Sequence, residues 1–540
     1  MDSMYPHDDG KDAIVTQAYA LFSRFYQQTR TLRDQFVKNE KIWEGRQWEH
    51  LTGREPDAPR PSSPVLFSTC ESLLADVMDY YPEPVLLGQE PGDTELATEL
   101  SEVVRYVIKR RNYRKTYREK VRNALIKGTS VQEVFWDRSL YGGLGDVNIR
   151  EWDVKNFFFD PRCEDIQQGR ACFKTLRLPR AWFKMHYPDQ EPQMRADAYA
   201  RLMPGEDESA DEEEVLLIEY WYKTRGDGGQ SCVHMAKIAG GVLLEDSRKT
   251  CPDGLYAHGL YPFIVEPLFR LGARPWGLGI MDIFGPLQFL ADRLDQIILN
   301  NALLSGKLKL LVDKGADVDM EALTDYSREV VRAGRIDDAA VRWFSALPLN
   351  PVVYSHYNGK IQMIKEESGQ NQMNRGEGLR NVTAASAIIA LQEAGSKRSR
   401  LIVQQLYDGF EQLVHMVIEL IAQFYTENRR FMVRGQGGDQ RMISFNASRM
   451  ARPDLGQGVM RRHFDFDVRI EAQRQTPVEA AYRNELAMQL LQMSGGLITP
   501  VMAIEMMDFE GKERVLAQLR ERVLQAGTGE AEPDGAGYGL

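Results

Sequence analysis

The sequence has few cysteines and no pairing pattern among them. Five of the 540 residues are cysteine, and none forms a CxxC pair. A scattered, odd set of thiols argues against a disulfide framework or a zinc ribbon and favours a reducing compartment. No apolar run approaches the ~20 residues of a membrane span, and the polar, acidic residues 1–11 predict no signal peptide. We therefore expect a soluble cytosolic product.

Common catalytic motifs are also missing. The sequence contains no GxxxxGK[ST], no HExxH and no GxSxG, which argues against a P-loop motor, a zinc protease and an α/β-hydrolase. Asp317 and Asp319 could approach a metal ion, but two acids without a third ligand are usually a solvated turn. We expect no enzyme activity, no cofactor and no metal site; a DNA-processing enzyme stays the less favoured alternative.

The chain has a surplus of negative charge. Its formal net charge is −11 at pH 7, so contact with nucleic acid must be local or weak. The exception is the second half of a helix predicted over residues 94–127, where lysine and arginine concentrate from Lys109 to Lys127. That face could contact phosphates, but a solvated face or a salt-bridged contact between subunits is the favoured interpretation.

The longest periodic stretch runs from Ala384 to Asn428. Its apolar residues recur in steps of three and four, which is typical of one face of a helix: Ile402, Leu406, Phe410, Leu413, Val417, Leu420 and Phe424. Gly395-Ser396 predicts a bend. At 1.5 Å per residue an unbroken helix here would be roughly 65 Å long. It is either an ordinary long core helix or a spine that crosses the molecule.

Shorter patterns predict a mixed α and β chain of roughly three or four domain-sized units. In the first half we expect helices at 13–37, 72–80 (with Ser72 as a possible N-cap), 94–127 and 180–186. Strands are expected at 131–136 and 146–151, joined as a hairpin, and at 214–223, 232–244 and 261–268. After the long helix, strands are expected at 430–434, 441–446 and 463–471, and helices at 478–493, 500–507 and 511–525.

A helix predicted to start at Pro286 has two contrasting faces. Its apolar stripe comprises Leu287, Leu290, Leu294, Ile297, Ile298 and Leu304, and its opposite face is rich in amides and acids: Gln288, Asp292, Asp295, Gln296 and Asn300. We expect the polar face to form a wet contact between subunits. Strands at 307–312 and 341–344 and a helix at 320–333 follow, before a helical pattern restarts near Val353.

The order of these parts resembles that of tailed-bacteriophage portal proteins, from about Ala13 to Gln525. Each shared motif is weak alone: Trp43-Glu-Gly-Arg-Gln-Trp48, Val134-Phe-Trp-Asp137, Asp160-Pro161, Trp276-Gly-Leu-Gly-Ile280, Glu367-Ser-Gly369, Thr383-Ala-Ala385 and Thr476-Pro477. Their order over the chain is more specific. The resemblance implies an α+β, predominantly helical portal fold with a long spine helix.

The resemblance also implies a division of the chain by position. The regions would be a wing at 1–276, a stem helix at 277–306, a clip at 307–350, a second stem helix at 351–374, a tunnel loop at 369–383, the spine helix and wing strands at 384–475, crown helices at 476–527 and a disordered tail at 528–540.

Portal proteins form rings, usually of twelve subunits, at one capsid vertex, and the resemblance implies that role here. The terminase motor would package double-stranded DNA through the ring, and DNA would later leave by the same route. Expected partners are other copies of the chain, the terminase large subunit, head–tail adaptors, and the major capsid and scaffolding proteins, with assembly in the host cytoplasm and no membrane contact. Another head–tail structural protein of the virion is the alternative.

The predicted tunnel loop is the candidate site. Glycines give its backbone freedom to move, and its amides and two cations could touch DNA without sequence preference. The candidate residues are Gln370, Asn371, Asn374, Arg375, Arg380 and Asn381. Few cations are what a low-friction conduit needs, because Lys and Arg contacts to phosphate dominate affinity. A plain flexible connector is the alternative.

Overall fold

The structure of the chain is a computed structural model. It describes residues 11–50, 59–88, 94–194, 214–226, 229–272, 274–306, 309–315, 317–324, 329–334, 341–344, 347–369, 397–434, 440–453, 460–462, 466–474, 477–493, 498–507, 509, 512, 515, 516, 518 and 519. The part of the predicted spine before Lys397, the predicted tail and most of the predicted helix 511–525 lie outside these residues.

Helices build most of the described chain. In order they are α1 (Lys11–Gln28), α2 (Arg30–Trp43), α3 (Val65–Met78), α4 (Thr94–Arg110), α5 (Tyr113–Lys127), α6 (Arg180–His186), α7 (Ser247–Thr250), α8 (Ile280–Gly306), α9 (Met320–Thr324), α10 (Pro351–Glu367), α11 (Lys397–Phe424), α12 (Pro477–Met493) and α13 (Pro500–Met506). None of the helices among the described residues is both long enough and apolar enough to cross a membrane.

Antiparallel strands pair into several small sheets. The strands are β1 (Tyr80–Gly88), β2 (Thr129–Asp137), β3 (Asp146–Trp152), β4 (Phe157–Phe159), β5 (Ala171–Pro179), β6 (Glu214–Arg225), β7 (Ser231–Ala239), β8 (Val242–Asp246), β9 (Phe263–Pro267), β10 (Phe269–Arg270), β11 (Gly277–Leu278), β12 (Lys309–Val312), β13 (Val341–Phe344), β14 (Arg429–Arg434), β15 (Gln440–Phe445), β16 (Ala451–Pro453), β17 (Met460–Arg462) and β18 (Phe466–Arg474). Together with the helices they confirm the α+β class.

The sheets combine neighbours in sequence with two distant pairs, β1 with β18 and β2 with β9. The largest has the order β4-β5-β6-β7-β8 and the next β3-β2-β9; the pairs are β1-β18, β10-β11, β12-β13, β14-β15 and β16-β17. The predicted hairpin is confirmed as β2 and β3, which pair from Asp137 opposite Asp146 to Val131 opposite Trp152. The predicted strand 232–244 is wrong as one strand, because Gly240 and Gly241 take positive φ and turn it into the β7–β8 hairpin.

The helix α11 forms the centre of the main core. Its predicted apolar stripe is confirmed: Ile402, Leu406, Phe410, Leu413, Val417 and Leu420 are all buried, and Phe424 stacks on Trp136 with ring centroids 4.6 Å apart. These side chains pack with α3, α4, α5 and the three-stranded sheet. A second core forms where Phe22 and Phe25 of α1 pack on the five-stranded sheet.

Two helices predicted as continuous are each broken. At Thr29 the chain leaves the helical dihedrals between α1 and α2; α1 serves the second core, whereas Phe36 of α2 enters the main core. At Asn112, with φ of 52°, the backbone is left-handed between α4 and α5. Asparagine tolerates that conformation better than most residues. The break lets the two apolar stripes face different partners.

The helix predicted at residues 72–80 is confirmed as far as Met78, but its bounds and its N-cap were wrong. Helix α3 begins earlier, at Val65, and Ser72 lies inside it, where its hydroxyl donates to Ser68 O at 2.9 Å. Tyr80 starts the strand β1 instead of ending a helix. The sequence did not predict β1, because the strand contains Pro82 and Pro84 and proline usually argues against a strand.

Two other predicted helix bounds were also wrong. Helix α8 begins at Ile280, so Pro286 lies inside it instead of in its first turn. The predicted helix at 320–333 is shorter: α9 ends at Thr324, and Ala333 instead forms an isolated bridge with Val318.

A buried ion pair joins α5 to the strand β9 beside the spine. Lys120 Nζ lies 2.6 Å from Glu266 Oε2, and the Lys120 side chain is fully buried. Burial holds the pKa of Glu266 above its ordinary value, against the attraction of Lys120. The carboxylate lies directly against Gly409 of α11, where an added Cβ would overlap its oxygens. Glycine at 409 therefore lets the spine approach this pair.

We expect Gly409→Ala to lower the free energy of unfolding by roughly 1–3 kcal/mol, the usual cost of overpacking a core. The new methyl group would force Glu266 away from Lys120 or push α11 outward. The matched control is Gly359→Ala in α10, because an added Cβ there meets no atom within 4 Å. That control should gain about 1 kcal/mol from helix propensity. Urea unfolding measures the free energy of unfolding of both variants. Equal changes in the two variants would contradict the close packing of Gly409 against Glu266.

Candidate assembly surface

Polar side chains of α8 attach it to the body of the protein. Asp292 accepts hydrogen bonds from Gln47 Nε2 at 2.5 Å, Ser63 N at 3.0 Å and Gln288 Nε2 at 3.0 Å. The Asp292 side chain is buried, and burial raises its pKa although these three donors oppose the shift. One carboxylate thus ties α8 to the segment after α2 and to the residues before α3.

The same side of α8 makes further, partly buried contacts before and after Asp292. Asp282 accepts from Asn39 Nδ2 at 2.8 Å, Gln35 Nε2 at 3.1 Å and its own helix start at Gly279 N, 2.8 Å away. Gln296 donates to Pro59 O at 2.8 Å. Buried polar groups of this kind need their partners, because an unmade bond costs about 1–3 kcal/mol. They therefore fix the rotation of α8 about its axis.

The predicted interface face of α8 is consequently corrected. Gln288, Asp292 and Gln296 were expected to meet a neighbouring subunit, but their partners lie in the same chain and all three are buried. The helical period was read correctly, but a period does not say which of two faces turns inward. Here the polar face turns inward, because hydrogen-bond partners in the residues before α8, such as Gln47, Ser63 and Pro59, lie against it.

The outward face of α8 carries a row of exposed apolar residues. Four residues at steps of seven expose about half of their surface: Ile283 at 42%, Leu290 at 49%, Ile297 at 48% and Leu304 at 51%. A seven-residue spacing is the period with which one helix packs along another. We call these four residues the α8 stripe. A row of exposed apolar residues along one side of a helix is a candidate interaction surface.

Helix α10 returns along α8 and adds to this surface. Asn301 Nδ2 donates to Leu347 O at 3.0 Å near the end of α8, and Tyr357 Oη lies 3.2 Å from the Ser63 hydroxyl. Ile364 of α10 is buried in the main core. Apolar side chains of α10 and of the residues before it are exposed as well: Leu347, Val352, Tyr354 and Met363.

The chain between the two helices forms a small module of its own. Strands β12 and β13 pair from Lys309 opposite Phe344 to Val312 opposite Val341. The turn expected at Asp317 and Asp319 is wrong: the two residues flank Val318, which forms a bridge with Ala333. Asp317 O accepts from Gly334 N, and Asp319 Oδ1 accepts from Ala322 N at 3.0 Å. Within the described part of the chain no group of three His, Cys, Asp or Glu residues could hold a metal ion.

Five of the nine cations from Lys109 to Lys127 form ion pairs inside the chain, and not with a neighbouring subunit. The ion pairs are Arg111–Asp146, Lys115–Glu119, Lys120–Glu266, Arg122–Glu71 and Lys127 with Glu40 and Asp153. Lys120 and Lys127 are buried. A phosphate-binding face needs exposed cations, so buried Lys120 and Lys127 are poor candidates for contact with nucleic acid. Lys109, Arg110, Arg114 and Arg118 of the same face are exposed.

The residues predicted for the tunnel loop lie outside the described residues. This applies to Gln370, Asn371, Asn374, Arg375, Arg380 and Asn381. The described chain stops at Gly369, which follows α10 with φ of 81°, and resumes at Lys397 with α11. Their role stays a prediction.

Comparison with solved structures returns weak likenesses to phage-like particles. The neck of an empty gene transfer agent particle computed with C6 symmetry has 11% identity, a TM-score of 0.36 and coverage of 84% of this chain and 90% of its own. The virion of a native gene transfer agent particle has 10% identity and a TM-score of 0.37, and the match covers 89% of this chain and 93% of the other. The neck of a native particle computed with C12 symmetry has 10% identity and a TM-score of 0.36, and the match covers 84% of this chain and 89% of the other. The family of the chain does not depend on these likenesses.

Comparison of the sequence with known proteins gives a clear result at the level of the family. A search of curated proteins found no match. The family model for the phage P22-like portal protein, in contrast, matches residues 19–235 and 328–536. These two ranges include α10, most of the described helices of the main core and the spine. Since the match covers most of the sequence, the chain belongs to the phage P22-like portal protein family.

Proposed function

We propose that the chain assembles into a closed ring of about twelve identical subunits, through which double-stranded DNA enters and leaves a phage head. Membership of the portal family makes it a head-to-tail connector and a component of the virion. Assembly into a ring that conducts DNA is supported by one feature above all: the exposed α8 stripe on a helix whose polar face is already used inside the subunit.

The α8 stripe suits a contact between neighbouring subunits. From Ile283 to Leu304 it spans about 32 Å along the helix axis at 1.5 Å per residue. The four large apolar side chains are about half exposed in the single subunit. Burying them against a neighbour would contribute a free energy of about 25 cal/mol for each Å² of apolar surface. In a ring with one rotation axis the contact joins two different surfaces of the same chain. The α8 stripe would supply one of these two surfaces in each subunit.

The charge of the chain suits a conduit for DNA. A net charge of −11 disfavours tight binding to phosphates, whereas a cationic lining would hold DNA in place. We assign the few necessary contacts to the tunnel loop, with Arg375 and Arg380 as the cations and Gln370, Asn371, Asn374 and Asn381 as polar contacts. Contacts to phosphates alone do not depend on sequence.

The remaining regions keep the roles that position in the chain suggests. Residues 1–276 and 384–475 would be the wing, 277–306 and 351–374 the stem, and 476–527 the crown. We propose that the module at 307–350 is a clip that binds the terminase large subunit during packaging and adaptor proteins afterwards. The wing and crown would face the major capsid and scaffolding proteins during assembly in the host cytoplasm.

The first prediction concerns the ring itself. The double variant Leu290→Glu with Ile297→Glu should remain folded and become monomeric, because both side chains are half exposed in the subunit and charge at a closed interface is costly. Met185→Glu on α6 is the control, since Met185 is an isolated exposed apolar residue. Native mass spectrometry distinguishes the two. Rings of the double variant would contradict the assignment of the α8 stripe.

The second prediction concerns the proposed clip. Replacing residues 307–350 by a short Gly/Ser linker should leave the ring intact and abolish binding of the terminase large subunit. The module projects between α8 and α10 and adds little to the main core, so its loss should cost the ring little. A pull-down with purified terminase measures binding. Full binding to a ring that lacks the module would show that terminase docks elsewhere.

The third prediction concerns the tunnel loop. Arg375→Ala with Arg380→Ala should leave the ring intact and reduce DNA retention in filled heads. The slope of log K for DNA binding against log salt concentration should become shallower by up to about one for each phosphate contact that is lost. Replacing both by lysine keeps the charge and is the matched control. A lower melting temperature with unchanged retention would instead assign both arginines to the structure of the loop.

A further inference from the structure

The two-stranded sheet of β1 and β18 has one closed edge and one open edge. The strands pair from Tyr80 opposite Arg474 to Gly88 opposite Phe466. Helix α11 packs near both strands, and Val468 and Ile470 lie against the main core. A sheet of two strands has two edges, and each presents backbone N–H and C=O groups that another strand could pair with.

The edge of β1 is closed by α4 and by prolines. Leu86 N donates to the Ser101 hydroxyl at 2.8 Å, and Arg105 Nε donates to Pro84 O at 2.9 Å. Residues two apart in a strand point their backbone groups to the same side. Pro82 and Pro84 therefore sit on this outer side too, where they have no N–H to offer. No further strand can add to this edge.

The register then fixes which groups of β18 point outward. Pro82, Pro84 and Leu86 stand opposite Ala472, Ile470 and Val468. When the backbone groups of one residue point away from the partner strand, those of the residue directly opposite do so as well. The N–H and C=O groups of Val468, Ile470 and Ala472 thus line the outer edge of β18. Among the described residues no strand pairs with this edge.

We propose that an extended strand from the neighbouring subunit of the ring completes this edge of β18. The proposal rests on the ring assembly proposed above. The strand β18 has nine residues and no proline, and its outer edge has no partner strand in the described part of the chain. An open edge of this kind can pair with other chains unless something covers it. Every subunit has this edge, so its permanent partner must be present in equal number, and the next subunit in the ring meets that requirement.

The symmetry of a ring also restricts what the partner strand can be. Pairing of β18 with β18 of another copy would need a two-fold axis between them, which a ring with a single rotation axis does not have. The partner is therefore a different segment of the neighbouring chain. The exposed residues Asp467, Arg469 and Glu471 of β18 alternate in sign, so that segment should present opposite charges across from them.

Hydrogen exchange of the full-length ring tests this proposal, with the Leu290→Glu, Ile297→Glu chain as the monomeric reference. The amides of Val468, Ile470 and Ala472 should exchange at least about tenfold more slowly in the ring than in the monomer. The amides of Arg469 and Glu471, which face β1, should be protected in both. Equal exchange of the outward amides in ring and monomer would overturn the strand proposal and leave the ring assignment in place.

A proline variant provides a second arm. Ala472→Pro removes one outward N–H and no bond to β1, so the monomer should melt as before while the ring should dissociate at lower urea concentration. Ala472→Ser keeps the N–H and should behave as wild type. Glu471→Pro removes a bond to β1 and should unfold the sheet in the monomer as well. A ring unaffected by Ala472→Pro would overturn the strand proposal. Protection of the outward amides of β18 that appears only in complete particles would overturn it too. A wild-type chain that never forms rings would overturn both the strand proposal and the ring assignment.

Discussion

The buried hydrogen bonds of Asp292 decide how α8 lies on the molecule, and the assembly account depends on them. Three donors from three places meet one carboxylate, Gln47, Ser63 and Gln288, and removing a partner from a buried charged group is expensive. The helix therefore cannot rotate to hide its apolar side. With the polar side inward, the apolar residues Ile283, Leu290, Ile297 and Leu304 face outward and remain about half exposed in the subunit.

The core around α11 supplies the rigid frame that holds α8 in place. Spine side chains pack against α3, α4, α5 and the three-stranded sheet, and Gly409 allows the spine to approach the buried Lys120–Glu266 pair. The five-stranded sheet has a separate core with α1. A subunit built in this way can present fixed surfaces to its neighbours, which ring closure requires, because small errors in the angle between subunits add up around a ring.

Local patterns predicted local structure well, whereas three-dimensional context decided the rest. The β2–β3 hairpin, α6 and the apolar stripe of α11 follow from residue period and turn residues alone. The pairing of β1 with β18 joins segments far apart in sequence, and Pro82 and Pro84 mask β1 because only one side of an edge strand tolerates them. The inward face of α8 depends on partners in α2 and before α3, which a helical period cannot reveal. The order of motifs predicted the family, but no local pattern predicted the assembly surface.

A cryo-EM reconstruction of the purified full-length protein is the most direct test of the account. It should show a closed ring with a central channel, and Leu290 and Ile297 should lie at each boundary between subunits, within van der Waals contact of the neighbouring chain. Asp292 should keep its contacts with Gln47 and Ser63 of its own subunit. A ring in which the α8 stripe faces solvent, or in which Asp292 and Gln288 instead contact the neighbouring subunit, would contradict it.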